Sequence, residues 1–220
     1  MLMEKRFQEI LRILEEQGTV SVQDLTESLD ASEATIRRDL SQLAQMGKLK
    51  KIYGGAASLE TGYQTREIRV EERQELYVEE KKQIAKYAAS LIEPGDFVYV
   101  DAGSSTEYLV EYIEERDASY VTNSMSHALK LAGRGMKVSI LGGNVKGTTE
   151  AVVGADAMET LRRYHFTRGF WGADGIRKKE GCTTPEMEEA AVKRLSMKQT
   201  RDCYVLCDGS KFGKIAQVTF

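Results

Sequence analysis

The chain opens with an apolar stripe at helical spacing. Phe7, Ile10, Leu11 and Leu14 recur at i, i+3, i+4 and i+7, which is one face of an α-helix. Gly18 closes that helix. Ser21, followed three residues later by Asp24, is close to a capping box and predicts a short second helix with Leu25 and Leu29 on one side. Asp30-Ala31-Ser32 reads as a tight turn. Ser32 reads as the N-cap of a third helix whose inward residues are Ile36, Leu40 and Leu43. Thr35, Arg37, Arg38 and Ser41 must then face outward. Gly47 stops this helix, Lys48 to Tyr53 alternate imperfectly like a two-stranded wing, and Gly54-Gly55 closes the wing. Helix, short helix, turn, helix and basic hairpin together make a winged helix-turn-helix, expected over residues 1–57.

Residues 58–75 lack a clean apolar period and are dominated by small and charged side chains, so they read as a linker. A charged helix that dimerises is the alternative reading of the same stretch. Helical spacing returns in 76–92 through Ile84, Ala88, Leu91 and Ile92, and Pro94-Gly95-Asp96 ends it. The second domain is therefore expected over 76–220. From residue 97 one arrangement recurs: an apolar, β-prone run ends in a cluster of Gly, Ser, Thr, Asp or Asn, often followed by a helical pattern. FVYVD runs into Ala102–Thr106, SYV into Thr122-Asn123-Ser124, and KVSIL into Gly142-Gly143-Asn144. RGFWG runs into Ala173-Asp174-Gly175, and CYVLC into Asp208–Lys211. Strands alternating with helices predict a mostly parallel sheet, so the fold class is α/β with the winged helix in front. Ligands of such sheets bind outside the carboxyl ends of the strands, where all five clusters should lie.

Charge sharpens the picture of the first domain. The whole chain carries 31 Lys and Arg against 34 Asp and Glu, a net charge of −3. Residues 37–53 run against that balance, with Arg37, Arg38, Lys48, Lys50 and Lys51 opposed by Asp39 alone. In a winged helix the helix after the turn enters the major groove of DNA. Ser32, Thr35, Arg37, Arg38 and Ser41 are the candidates to meet bases and phosphates there, and arginine can bond guanine through two parallel hydrogen bonds. Lys50, Lys51 and Tyr53 on the wing are the candidate phosphate contacts.

The clusters of the second domain suit a phosphorylated polyol. Gly103, Ser104, Ser105 and Thr106 offer backbone N–H groups and three hydroxyls at a helix N-terminus. Lys211 adds a positive charge, and Asp101, Asn123 and Asp174 can bond sugar hydroxyls. Thr122, Gly142 and Gly143 stand in the neighbouring clusters and complete the candidate effector site.

ASEATIRRDLSQLAQMGKLKKIYGGA resembles the DNA-binding signature of the DeoR family of bacterial sugar-responsive regulators, in its TIRRDL core and in the GG after the wing. DAGSSTEYL, VTNSMSHA, ILGGNV, GFWGADGI and LCDGSKFG are similar to successive blocks of that family's effector domain, so the resemblance spans essentially the whole chain. It implies an isomerase-like effector domain, related to ribose-5-phosphate isomerase, and a homodimer or homotetramer. It also implies binding to double-stranded operator DNA and release by a sugar phosphate, with Ser104, Ser105, Thr106 and Lys211 in phosphate or hydroxyl contacts. Fructose-1-phosphate and tagatose-6-phosphate are the effectors to try first. Family members continue past the DGSKFG block, whereas this chain stops at Phe220, which points to a truncated or short form.

A sugar-phosphate isomerase is the rival reading. It needs a base beside the substrate carbonyl, and Asp101, Glu150, Asp174 and Glu188 are the acids near the predicted loops. The GADGIRKKEGCTTPEMEE region lacks the glycine-rich run of the isomerases, and the block ends in Gly175 rather than an acid. Binding without turnover is therefore expected, with no catalytic residues and no cofactor. No metal site is expected either. His127 and His165 stand alone, and Cys203 and Cys207 on a strand would lie about 13 Å apart at ~3.3 Å per residue, as buried free thiols. Trp171 reads as core, and Glu186 to Glu189 as a solvated helix start from which Glu188 could line the pocket. No apolar run approaches the roughly 18–20 residues of a membrane span, and MLMEKRFQEI has early acidic residues and no apolar h-region of a signal peptide, so a cytoplasmic protein is expected.

Overall fold

The computed structural model describes residues 3–58 and 70–220, and the chain divides into two compact units, Met1–Tyr63 and Gln64–Phe220. The first unit runs α1 (Met3–Gln17), β1 (Thr19–Ser21), α2 (Val22–Leu29), α3 (Glu33–Gln45), β2 (Lys50–Ile52) and β3 (Gly55–Ala57). Ser21 and Asp24 form the expected capping box, each side chain bonding the other's backbone N–H, and the Ser32 hydroxyl accepts from Thr35 N at the start of α3. Ile10, Leu14, Leu25, Ile36, Leu40 and Leu43 share one buried core. The wing is a three-stranded antiparallel sheet in the order β1-β3-β2, one strand more than the sequence suggests. The extra strand explains the glycine pair. Gly54 turns with φ +76°, and a Cβ on Gly55 would lie 2.1 Å from the Val20 carbonyl oxygen, so only glycine lets β3 lie this close to β1.

The second unit begins with α4 (Val70–Gln74) and α5 (Val78–Ala89). It continues with β4 (Phe97–Val100), α6 (Ser104–Tyr112), β5 (Ser119–Thr122), α7 (Met125–Gly133), β6 (Lys137–Ile140), β7 (Asn144–Lys146), β8 (Ala151–Val153) and α8 (Ala155–Leu161). The last part holds β9 (Phe166–Gly172), β10 (Gly175–Arg177), β11 (Gly181–Thr184), α9 (Met187–Lys198), β12 (Thr200–Leu206) and β13 (Val218–Thr219). The five expected strands form one sheet in the order β12-β9-β4-β5-β6, and every pairing in it is parallel.

Alternation along the strands separates two cores. Val98, Val100, Tyr120 and Phe170 pack on one face with α5, α6 and α7, while Tyr99, Val121 and Trp171 pack on the other with α8 and α9. Burial on both faces is why FVYV reads as an unbroken apolar run. Trp171 is fully buried, stacks on Tyr99 and donates its Nε1–H to Ser196 Oγ at 2.9 Å, a core role as expected.

Two expectations need correction. Val70–Gln74 fall within the expected linker 58–75, yet they form α4, with Val70 buried and its N–H donating to the Thr148 carbonyl at 3.1 Å. Residues 59–69 of that stretch lie outside the described residues. The cysteines are also less buried than expected: Cys203 is exposed on β12, which is the edge of the sheet, and Cys207 just beyond it is half-buried. Burial pushes the Cys207 thiol up to about 12, so it is not a reactive thiolate.

The first unit's small core makes a stability prediction. Leu40→Ala should cost about 2–5 kcal/mol, the range for a fully buried leucine. Chemical denaturation followed by far-UV circular dichroism would measure it. A loss well under 1 kcal/mol would contradict this placement of α3.

Candidate functional site

The first unit presents one basic face. On α3 the apolar residues Ile36, Leu40 and Leu43 are buried, and Arg37 and Arg38 are exposed. Asp39, the one acid within the basic stretch, turns inward instead. It takes a two-pronged ion pair from Arg6 of α1, with Arg6 Nη2 at 3.1 Å from Oδ1. Its charge is thus answered from inside, and the outer face is more basic than the residue count implies. Arg37 leans back on Glu33 one turn earlier, Nε to Oε1 at 2.8 Å. Both side chains of that pair are exposed, and a surface i,i+4 pair is weak enough to yield to a stronger acceptor.

The other expected DNA contacts divide by role. The Ser32 and Thr35 hydroxyls lie 2.9 Å apart and are occupied in capping α3. Ser41 donates to the Arg37 carbonyl and accepts from Lys51 Nζ at 2.9 Å, so Lys51 ties the wing to α3. Lys50 is exposed on β2, and Tyr53 is fully exposed at the wing tip. Lys51 thus sits against α3, and Ser32 and Thr35 shape the end of that helix.

In the second unit the sheet order reverses beside β4. From β4 the chain adds β5 and β6 on one side, then returns to add β9 and β12 on the other. A crevice opens at such a switch point, beyond the strand ends. Here it is lined by Ala102 to Ser105 after β4, Gly172 to Asp174 after β9, and Lys211 after β12. Arg73 of α4, Thr149, and Glu189 and Lys193 of α9 complete the wall.

Its floor is a network of buried charge. Lys193 Nζ donates to Asp101 Oδ2 and, at 3.1 Å, to the Gly172 carbonyl. Burial alone would pull Lys193 down, but Asp101 and Glu189 beside it raise it above the usual lysine value, so it stays charged. Glu189 accepts from Thr149 Oγ1 at 2.6 Å and Lys146 Nζ at 3.2 Å. Burial pushes Glu189 up, yet Lys193, Thr149 and Lys146 together hold it below the ordinary carboxylate range. At the mouth Arg73 Nη1 bonds Asp174 Oδ1 at 2.8 Å. Behind Ser104, Lys81 of α5 donates to its hydroxyl at 3.1 Å, and burial pulls Lys81 down to about 8.

The structure sorts the expected effector residues. Gly103, Ser104, Ser105, Asp174 and Lys211 line the crevice, and Asp101 lies beneath it in the charge network. Thr106 is fully buried and donates to the Asp101 and Gly103 carbonyls, so it builds the loop rather than facing a ligand. Asn123 Oδ1 accepts from Ala102 N at 2.8 Å and Thr122 Oγ1 from Ser124 N at 3.0 Å, which makes both buttresses. Gly142 and Gly143 are exposed after β6 and do not line the crevice. A Cβ on Gly143 would sit 2.5 Å from the Val153 carbonyl oxygen, so that glycine serves the turn.

Of the acids weighed for catalysis, Glu188 points to solvent and its neighbour Glu189 lines the crevice instead. Asp101 and Asp174 are each engaged by a cation. His127 is buried and its burial pulls it to about 3, which leaves it neutral, while His165 is exposed. Among the described residues no group of His, Cys, Asp and Glu could hold a metal ion, and no helix is long and apolar enough to cross a membrane.

Arg73, Lys81, Thr149, Glu189 and Lys193 were not legible as site residues. Arg73 falls in the stretch that reads as linker and Glu189 in the one that reads as a solvated helix start, while Lys81, Thr149 and Lys193 carry no site signal of their own in the sequence. The one available signal was periodicity: Glu189 and Lys193 are four apart, on one face of α9 with the apolar Ala190 and Val192 beside them.

Residues 6–62 match the DeoR-like helix-turn-helix domain, and residues 77–220 match the DeoR C terminal sensor domain. An uncharacterized HTH-type transcriptional regulator FruR of Bacillus subtilis (strain 168) is 38% identical over 225 residues, spanning 100% of this chain and 87% of that one. A lactose phosphotransferase system repressor of Staphylococcus epidermidis is 33% identical over 213 residues, 95% of this chain and 84% of its own. Among solved structures, ribose 5-phosphate isomerase from Plasmodium falciparum is similar at a TM-score of 0.46 and 15% identity, over 61% of this chain and about half of that one (52%). With both units matched and relatives aligned along its length, the chain belongs to the DeoR family of transcriptional regulators.

Proposed function

We propose that the chain represses a sugar-uptake or sugar-catabolic operon, and that a phosphorylated sugar entering the switch-point crevice releases it from its operator. The crevice chemistry carries this reading. Ser104 and Ser105 at the start of α6, with Lys211 and Arg73 nearby, suit a phosphate, while Asp174, Glu189 and Lys193 suit hydroxyls and a carbonyl oxygen. The basic face of α3 and the wing suits the operator. Release follows by linkage if the sugar phosphate binds the arrangement with lower DNA affinity. A coupling of about 1–3 kcal/mol gives roughly 5- to 150-fold release. The protein acts as a cytoplasmic homodimer or homotetramer, as its family resemblance implies, and binds the sugar without converting it.

A thermal-shift panel of sugar phosphates and their unphosphorylated parents tests the reading, beginning with fructose-1-phosphate and tagatose-6-phosphate. A selective rise with one phosphate is expected, and the same sample assayed for isomerised sugar should contain none. Product formation would replace the sensor by an enzyme.

On the DNA side, Arg37→Ala should cost about 1–3 kcal/mol and relax specificity at one base position. Lys50→Ala should weaken all sequences alike and lower the salt slope by about 1. Binding titrations at several salt concentrations separate the two, and identical behaviour would remove the assignment of reading to α3 and anchoring to the wing.

Lys81 gives the sensor a pH dependence. It is protonated below about 8 and neutral above. Affinity for a sugar phosphate should therefore fall as pH rises through that value, a trend calorimetry would follow. Lys81→Met should flatten it.

A further inference from the structure

The crevice as it stands is too small for the ligand its chemistry suits. The enclosed cavity measures about 30 Å³. That holds about one or two waters, whereas sites for small organic ligands run to about 300 Å³ and more. The five-residue helix α4 carries Arg73 into the crevice lining and is tied down at several points. Arg73 bonds Asp174 across the opening. The Arg73 carbonyl accepts from Lys81, and the Gln74 carbonyl accepts from the Tyr108 hydroxyl at 3.1 Å. The Gln74 amide also donates to Glu107, which Lys130 holds at 2.8 Å.

The partners in the other ties, Lys81, Tyr108 and Glu107, do not line the crevice. The Arg73–Asp174 pair differs, because both of its charged groups line the crevice. It is also incomplete. Arg73 Nε is buried and has no acceptor among the described residues, although its Nη1 is satisfied by Asp174. A guanidinium presents its donors as a rigid fork that matches two oxygens of one phosphate. Asp174 takes Nη1, on the other side of the guanidinium from the Nε–H, so the Nε edge of the fork stays unfilled.

We propose that Arg73 is itself a phosphate ligand, carried on the α4 strap, and that it exchanges the Asp174 carboxylate for the phosphate of the entering sugar. The exchange opens the mouth, frees Asp174 for a sugar hydroxyl and shifts α4. This strap is the described part of the sensor nearest in sequence to the DNA-binding unit: Val70 follows Ala57, the end of β3, by thirteen positions (70 against 57). The inference rests on the reading of the crevice as a sugar-phosphate site and adds which residue senses the phosphate and what it lets go.

Inorganic phosphate serves as the probe, titrated by calorimetry into the full chain and into Asp174→Asn, Arg73→Gln and Arg73→Lys. Asp174→Asn removes the competing carboxylate and should tighten phosphate binding at least about tenfold, the scale of one charged hydrogen bond. Arg73→Gln should weaken it by a similar factor, and Arg73→Lys should fall between. Hydrogen exchange of the peptide covering Val70–Gln74, without phosphate, should quicken in Asp174→Asn while β4 and β9 stay protected, which shows that the variant folds. Phosphate affinity unchanged in both Asp174→Asn and Arg73→Gln, or lowered alike in both, would overturn the proposal, as would no phosphate binding by the parent chain. None of these readouts involves DNA. Failure of the exchange thus stays distinct from failure of operator release, which is read on the operator with sugar phosphates.

Discussion

The buried Lys193–Asp101 contact at the point where the sheet reverses direction is the constraint on which the sensor's site depends. It joins α9 to the end of β4, and the same lysine holds the Gly172 carbonyl at the end of β9. Gly172 N returns a bond to Asp101 at 3.3 Å, so three elements meet on one pair of charges. Removing one partner of such a pair leaves a buried charge with nothing to answer it, at a cost of about 3–5 kcal/mol. The polar lining above inherits its geometry from this floor: Ser104 and Ser105 open α6 three and four residues after Asp101, and Asp174 follows Gly172, the end of β9, by two residues. A binding crevice and a structural ion pair are here one construction.

The two units solve opposite electrostatic problems. The sensor unit collects acids and cations into one buried network around Lys193 and Glu189. The DNA-binding unit keeps its cations outside. Asp39 is answered by Arg6 beneath α3, and Arg38 and Lys50 remain on the surface. An acidic chain with one basic face favours a single docking orientation on DNA over indiscriminate attraction.

How much of this was legible depended on how local each signal was. The capping box at Ser21 and the N-cap at Ser32 are contained within four residues, and both formed as read. The inner strands β4, β5 and β9 were readable because each is buried on both faces and therefore largely apolar, while the more exposed edge strands β6 and β12 were readable from short apolar runs that end in polar clusters. Strands β1, β7, β10 and β13 were not, since they hold two or three residues and owe their existence to a partner elsewhere in the chain. The site split in the same way. Ser104 and Ser105 announce themselves at a strand end, whereas Arg73 and Lys193 reach the crevice from helices whose own sequence says only that one side is polar. Asn123, Thr122 and Gly143 show the converse: the right residue types at the right sheet edge, used to brace loops. Spacing places a residue at an edge, and only tertiary packing decides whether its side chain faces a ligand.

The central claim is that one crevice couples sugar phosphate to operator DNA, and linkage makes it directly measurable from the sugar's side. The affinity of the full chain for the sugar phosphate identified by the panel should be measured with and without saturating operator, selected from random DNA by the chain itself. The account predicts that the operator weakens sugar-phosphate binding by the same factor, roughly 5- to 150-fold, by which the sugar phosphate weakens operator binding. An affinity for the sugar phosphate that is indifferent to the operator would contradict it, because two sites that do not share a free energy cannot regulate one another.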